Sequence, residues 1–176
     1  AKTQNMRIGL HTLSNFITTN DAYVTPVPDT RLAKVGYSQL AENIDATTKD
    51  ISIKDISFFN QFKNNTLKAA VIGGEIIRYE AVSTSAPWNL LNCQRGAFNT
   101  KSSAHAINDS IGKLMDHPYQ VFLGNHQLDQ EIAKTLARMF NETGLMQISF
   151  DGLEGCWSEG MGDYGKQLFT QTWFDN

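Results

Sequence analysis

Asp151 and Glu154 stand three residues apart in ISFDGLEGCW, with Trp157 just beyond them. Two carboxylates are what glycoside hydrolysis uses, one as acid and base, the other as nucleophile or activator of water. An indole offers a flat apolar surface that suits the C–H face of a pyranose. Each residue also has a plainer role. Asp151 can cap its own loop or the next helix, Glu154 can be solvated, and Trp157 can cover a core. Three residues of separation on one loop do not aim both carboxylates at one ligand, and a second carboxylate can equally lie on another strand.

His11, in GLHT, closes another strand-like run and can hydrogen-bond a substrate hydroxyl, although a lone histidine at a strand end is often structural. Asp21 and Tyr23, in NDAYVTP, are further candidates for substrate contact; Asp21 also suits a turn cap. Glu159 and Asp163 read as loop carboxylates, and Trp88 and Trp173 as packing residues. QRGAFNTKSSAH (94–105) invites a catalytic story through Arg95 and His105. Its position between two short β runs favours a structured loop, with Arg95 on loop carbonyls, Gly96 in an unusual backbone conformation and His105 as a lock.

The elements that must position these groups follow from periodicity. MRIGLHTL (6–13) reads as a short buried strand, and Pro26 and Pro28 make the next stretch an extended loop. YSQLAENI (37–44) reads as a short helical turn. From 47 to 118, short apolar runs separated by turn residues predict a small antiparallel β unit, with Gly73-Gly74 at one reversal. Ile132, Leu136 and Phe140 lie at four-residue spacing, beside Ala133 and Ala137, and predict a helix over 128–143. Asp129 suits its first turn and Gly144 its left-handed cap. LMQISF follows as an apolar strand, and GKQLFTQTWF as a further helix. Without the β unit the order is strand, helix, strand, helix, which predicts a parallel sheet with covering helices. The fold class expected is therefore α/β: a partial β/α, TIM-like barrel segment formed by 1–46 and 119–176, with the 47–118 unit inserted in its first crossover. Ligands of such folds sit at the carboxyl ends of the strands, so His11 and Asp151 are expected on one rim.

The 176 residues are 41% hydrophobic and 19% charged, with a formal net charge of −3. That balance suits a folded chain and gives no reason to expect nucleic acid as a partner. No apolar run approaches the ~20 residues of a membrane span. No zinc spacing, P-loop, GxGxxG or GxSxG occurs, so neither a metal nor a nucleotide cofactor is expected. Cys93 and Cys156 fit no metal spacing and read as two unpaired, partly buried thiols. Asn64, Asn108 and Asn141 begin N-x-S/T triplets, which matter only in a glycosylating pathway. Ala1 at the start and LFTQTWFDN at the end suggest a piece of a longer protein or a processed one. Two parallel strands cannot close a core alone, so they are expected to be completed by the rest of a larger chain or by self-association.

GLHTLSNFITTNDAYVTPVPDTRL, the β block with EIIRYEAVS and CQRGAFNT..AH, and the helix leading into ISFDGLEG resemble the middle of large bacterial glycoside hydrolases with a (β/α)8 catalytic barrel. ISFDG also resembles the strand that ends in the catalytic aspartate of retaining α-glycosidase barrels. The resemblance implies hydrolysis of a polysaccharide or oligosaccharide by an exported enzyme, with Asp151 as catalytic or subsite residue and His11 as sugar contact. It departs from a full barrel in supplying about two of eight strands. CQRGAFNT..AH also resembles a loop in small β domains of phage tail proteins. That likeness implies the alternative, a non-catalytic carbohydrate-binding or structural β module.

Overall fold

The computed structural model describes residue 4, residues 6–158 and residues 160–176. Among the described residues eleven strands precede the first long helix: β1 (Gly9–Leu13), β2 (Phe16–Ile17), β3 (Lys34–Gln39), β4 (Ile51–Ser52), β5 (Ala69–Ile72), β6 (Glu75–Arg78), β7 (Ala81–Val82), β8 (Asn89–Leu91), β9 (Ser110–Leu114), β10 (Asp116–His117) and β11 (Val121–Leu123). Helix α1 (His126–Thr143), strand β12 (Gln147–Asp151) and helices α2 (Gly155–Ser158) and α3 (Gly162–Phe174) complete the chain. It divides into two compact units, one of residues 17–122 and one of residues 1–16 with 123–176.

The larger unit is antiparallel throughout its described pairings. Gly73-Gly74 reverses the chain so tightly that β5 and β6 can run only antiparallel, with Ile72 opposite Glu75. β3, β9, β5 and β6 form one sheet, and β4, β8 and β7 another. Single bridges, Leu40 to Ile53 and Arg78 to Gln94, tie the two sheets together on both sides. Between them Leu40, Ile51, Ile72, Ile77, Leu90 and Ile111 pack with Phe59 and Tyr79 in a core excluded from water. A charged pair is buried in the same unit. Lys113 Nζ lies 3.8 Å from Asp116 Oδ2, and Asp116 accepts the Thr66 and Leu67 N–H groups. Burial pushes the Lys113 ammonium down to about 8.

Tyr37 to Gln39, expected in a helical turn, belong instead to β3. Their partner β9 is more than seventy residues downstream, with Tyr37 opposite Gly112 and Ser38 opposite Ile111. A Cβ on Gly112 would meet the Tyr37 ring at 3.1 Å, so a glycine lets that ring lie across the sheet.

In the smaller unit β1 and β12 run parallel, with Gly9 opposite Gln147 and Leu13 opposite Asp151. α1 forms as its periodicity predicts and ends on Gly144 in the left-handed region at φ 68°. Asn125 is its N-cap, accepting the Gln127 and Leu128 N–H groups, and Asp129 lies in the first turn as expected. The most buried stripe of α1 is Leu128, Ala133 and Ala137; Ile132, Leu136 and Phe140 flank it, half-buried. Phe150 of β12 meets Phe169 and Trp173 of α3 edge to face, and Phe140 of α1 meets Trp173.

The expected partial TIM-like barrel is not formed. The described residues form one parallel pair in the smaller unit and small antiparallel sheets in the larger, and among them no barrel closes. A β/α barrel repeats short parallel crossovers. Here the crossover from β1 to β12 contains the whole larger unit, and among the described residues no second parallel crossover follows. Nor are these strands buried. His11 and Leu13 of β1 and Ser149 and Asp151 of β12 are not covered by any described layer.

Candidate functional site

The smaller unit brings two of the predicted residues together. His11 and Ser149 are direct cross-strand partners, and Asp151 lies two residues further along the same face. His11 Nε2 stands 3.2 Å from Asp151 Oδ2, with the two side chains 63% and 50% exposed. On the other ring edge Nδ1 is 3.1 Å from Ser149 Oγ. Phe150, between Ser149 and Asp151, points the opposite way into the aromatic cluster. One face of the pair therefore makes the core and the other presents polar groups.

The loop behind Asp151 is fixed by the backbone. Asp151 Oδ1 accepts the N–H of Gly152 at 2.8 Å, and its carbonyl accepts the Ser14 N–H at 2.6 Å. Gly152 has φ 79°, and a Cβ there would sit 3.1 Å from the Leu13 carbonyl carbon. Only glycine meets both demands. The Asn15 amide, fully buried, lies between the Gly152 carbonyl and the Cys156 N–H, 2.5 and 3.2 Å away, where one orientation of the amide donates to the first and accepts from the second. The stretch just after β1 thus clamps the turn after β12; Asp151 Oδ1 is held by the Gly152 N–H, and the His11 ring stands beside Oδ2.

The other candidates are not gathered in the same way. Glu154 is exposed, and its backbone carbonyl accepts the Trp157 N–H. Trp157 is 59% exposed, and Lys166 Nζ lies over its ring, 5.4 Å from the centroid. Asp163 sits in the first turn of α3, 3.7 Å from Lys166 Nζ. Glu159 lies outside the described residues. Asp21 and Tyr23 belong to the larger unit, where Asp21 Oδ1 accepts the Tyr23 N–H at 2.9 Å and closes a turn. Trp173 is a packing residue, as expected, and Trp88 packs against the core of the larger unit.

The 94–105 loop is built around a residue the sequence did not flag. Glu75, fully buried, takes Arg95 on both oxygens at 2.8 and 2.9 Å, His105 Nε2 at 2.8 Å, and the N–H groups of Gly96 and Ser103. Arg95 also donates to the carbonyls of Asp45, Thr48 and Ser103, and Gly96 has φ 59°. Burial would raise the Glu75 carboxyl, but these donors outweigh it and hold the group below its ordinary value. One signal pointed to Glu75. In EIIR it shares a strand face with Ile77, and a carboxylate on a core face needs partners.

A broad open groove in the larger unit runs past Thr47, Lys49, Glu80, Asn92 and Gln94. Asn92 Nδ2 already donates to Glu80 there. Cys93 beneath it is unpaired, and burial pushes its thiol up to about 12, so it is no thiolate at neutral pH. Cys156 is likewise buried and forms no disulfide. Among the described residues no group of three or more histidine, cysteine or acidic side chains could hold a metal ion, and no helix is long and apolar enough to cross a membrane. No family model, curated protein or solved structure matches the chain.

Proposed function

We propose that this chain acts on carbohydrate as part of a glycoside hydrolase, with Asp151 as a reacting carboxylate and His11 as the group that orients it and contacts sugar hydroxyls. The observation that carries this reading is the His11–Asp151 pair, with His11 midway along β1 and Asp151 at the carboxyl end of the parallel β12, both open to solvent. The Gly152 N–H on Oδ1, with the His11 ring beside Oδ2, leaves Asp151 lone pairs with which to react, as nucleophile or as base. Glu154 is the second carboxylate of this reading. The reaction would require it about 5–5.5 Å from Asp151 for retention, or about 6.5–9.5 Å for inversion, once sugar is bound. Trp157 offers the stacking surface. No barrel is invoked; the rim of one strand pair is sufficient for the contact.

The test is release of reducing ends from a panel of soluble polysaccharides by the full-length natural protein. Asp151→Asn is expected to lower turnover by about 100-fold or more with little change in glycan affinity. Near-normal turnover in that variant would remove Asp151 from the chemistry. The openness of the pair favours one alternative, a rim that binds glycan without cleaving it. Under that reading the unaltered protein retains glycan, yields no product, and loses retention on Trp157→Ala.

A further inference from the structure

We propose that the groove of the larger unit is a second carbohydrate-binding site, taking a neutral oligosaccharide through Glu80, Asn92 and Gln94. The identity of the ligand as a sugar rests on the carbohydrate reading above; the groove itself does not. It encloses about 700 Å³, the size of a site for a small organic ligand. A smaller hollow of about 160 Å³ shares Glu80, Asn92 and Gln94 with it. The binding surface is therefore elongated, which suits a chain of sugars better than a single ring.

The lining decides the class of ligand. Its charges are balanced. Lys49 and Glu80 are opposite in sign, the Arg95 guanidinium is committed to Glu75 and to three carbonyls, and the Cys93 thiol stays protonated at neutral pH. No field of a single sign draws in a phosphate or a cation. What remains is a mixture of donors and acceptors. Asn92 Nδ2 donates to Glu80 Oε2 at 3.0 Å, which sets an amide and a carboxylate edge to edge and leaves each with further valences. A sugar hydroxyl both donates and accepts. Neighbouring hydroxyls can therefore give to the carboxylate and to the Asn92 side-chain oxygen, and take from the amide. The Gln94 amide and the Lys49 ammonium have no partner among the described contacts and extend the same surface. The backbone beneath these groups is fixed before a ligand arrives. The Asn92 N–H donates to Asp50 Oδ1 at 2.9 Å, the Glu80 N–H to the Leu91 carbonyl at 3.0 Å, and Arg78 and Gln94 each donate to the other's carbonyl. Such preorganisation lowers the cost of binding.

The test is titration of the full-length natural protein with cello-, malto-, xylo- and manno-oligosaccharides, followed through its amide NMR shifts. A sugar that binds is expected to move the amides of Asn92 and Gln94, with an affinity that salt does not change. Asn92 has φ 51°, so glycine removes its side chain without straining the turn. Asn92→Gly combined with Glu80→Ala should weaken binding at least about tenfold. Gln94→Ala, which breaks no described side-chain contact, should weaken it less and guards against misfolding of the double variant. Binding of no sugar in the panel, shifts confined to the smaller unit, affinities in all these variants within about twofold of the unaltered protein, or a steep fall of affinity with salt each overturns the proposal. Turnover separates the two readings. If sugar binds through Asn92 and no product is released, the hydrolase reading fails and the groove stands. If Asp151→Asn loses turnover while the groove variants bind as before, the groove falls and the hydrolase reading stands.

Discussion

Two histidine–carboxylate pairs among the described residues differ in almost everything except their chemistry. His105 and Glu75 are 2.8 Å apart at 9% and 0% exposure; His11 and Asp151 are 3.2 Å apart at 63% and 50%. Around Glu75 a guanidinium and two backbone amides join the histidine, so no lone pair is left for a ligand. Around Asp151 the partners hold the carboxylate from behind and leave its front to solvent. The first pair is a structural lock and the second a contact surface. What separates them is the number of donors that converge and the water they exclude, which motif inspection does not measure.

The largest effect should come from the buried pair. Glu75→Ala strips Arg95 and His105 of their counter-charge in a site with no water to replace it. A loss of about 3–5 kcal/mol in denaturant unfolding is expected. Because the folded carboxyl of Glu75 lies below its ordinary value, its contribution is fully present above the ordinary glutamate range. It is lost as pH falls through the folded value. Acid titration of stability should therefore be steeper in the unaltered protein than in Glu75→Gln; equal slopes would show that Glu75 is not the lock described. At Gly152, alanine must adopt φ 79° against the β1 backbone. A cost of about 1–3 kcal/mol is expected, with disturbance of the Asp151 loop visible in amide shifts. A neutral outcome would mean that the turn relaxes easily and that Asp151 is less fixed than its contacts indicate. The smallest effect belongs to the exposed pair. His11→Ala should change stability by less than about 0.5 kcal/mol while weakening whatever the rim binds. A large stability loss would make His11 a structural residue like His105 and erase the distinction.

These contrasts also explain what could be read from the sequence. α1 was legible because its apolar stripe and Gly144 are local signals, and the reversal at Gly73-Gly74 because a two-glycine turn between apolar runs is one too. That His11 and Asp151 would meet followed from treating both strands as parallel neighbours. Long-range pairing was hidden. Nothing near Tyr37 announces β9, and nothing near Arg95 announces Glu75 twenty residues earlier. The barrel expectation failed for a related reason. Alternating strand and helix signals identify a crossover but do not count how many follow it. Burial of β1 and β12 was misjudged because apolar residues in a strand do not reveal whether one face or two are covered.

The bridges that tie the two sheets of the larger unit have a counterpart in what the smaller unit lacks. β1 and β12 form a sheet of only two strands, so each has an outer row of amide and carbonyl groups that no described strand occupies. Met6, Ile8, Leu10, Leu13 and Met146, all exposed, lie along or beside those strands. Open strand edges with apolar neighbours are where chains recruit one another into aggregates. Concentrating this chain should therefore drive irregular association that starts from its folded form, at the short parallel pair, well before the larger unit begins to melt.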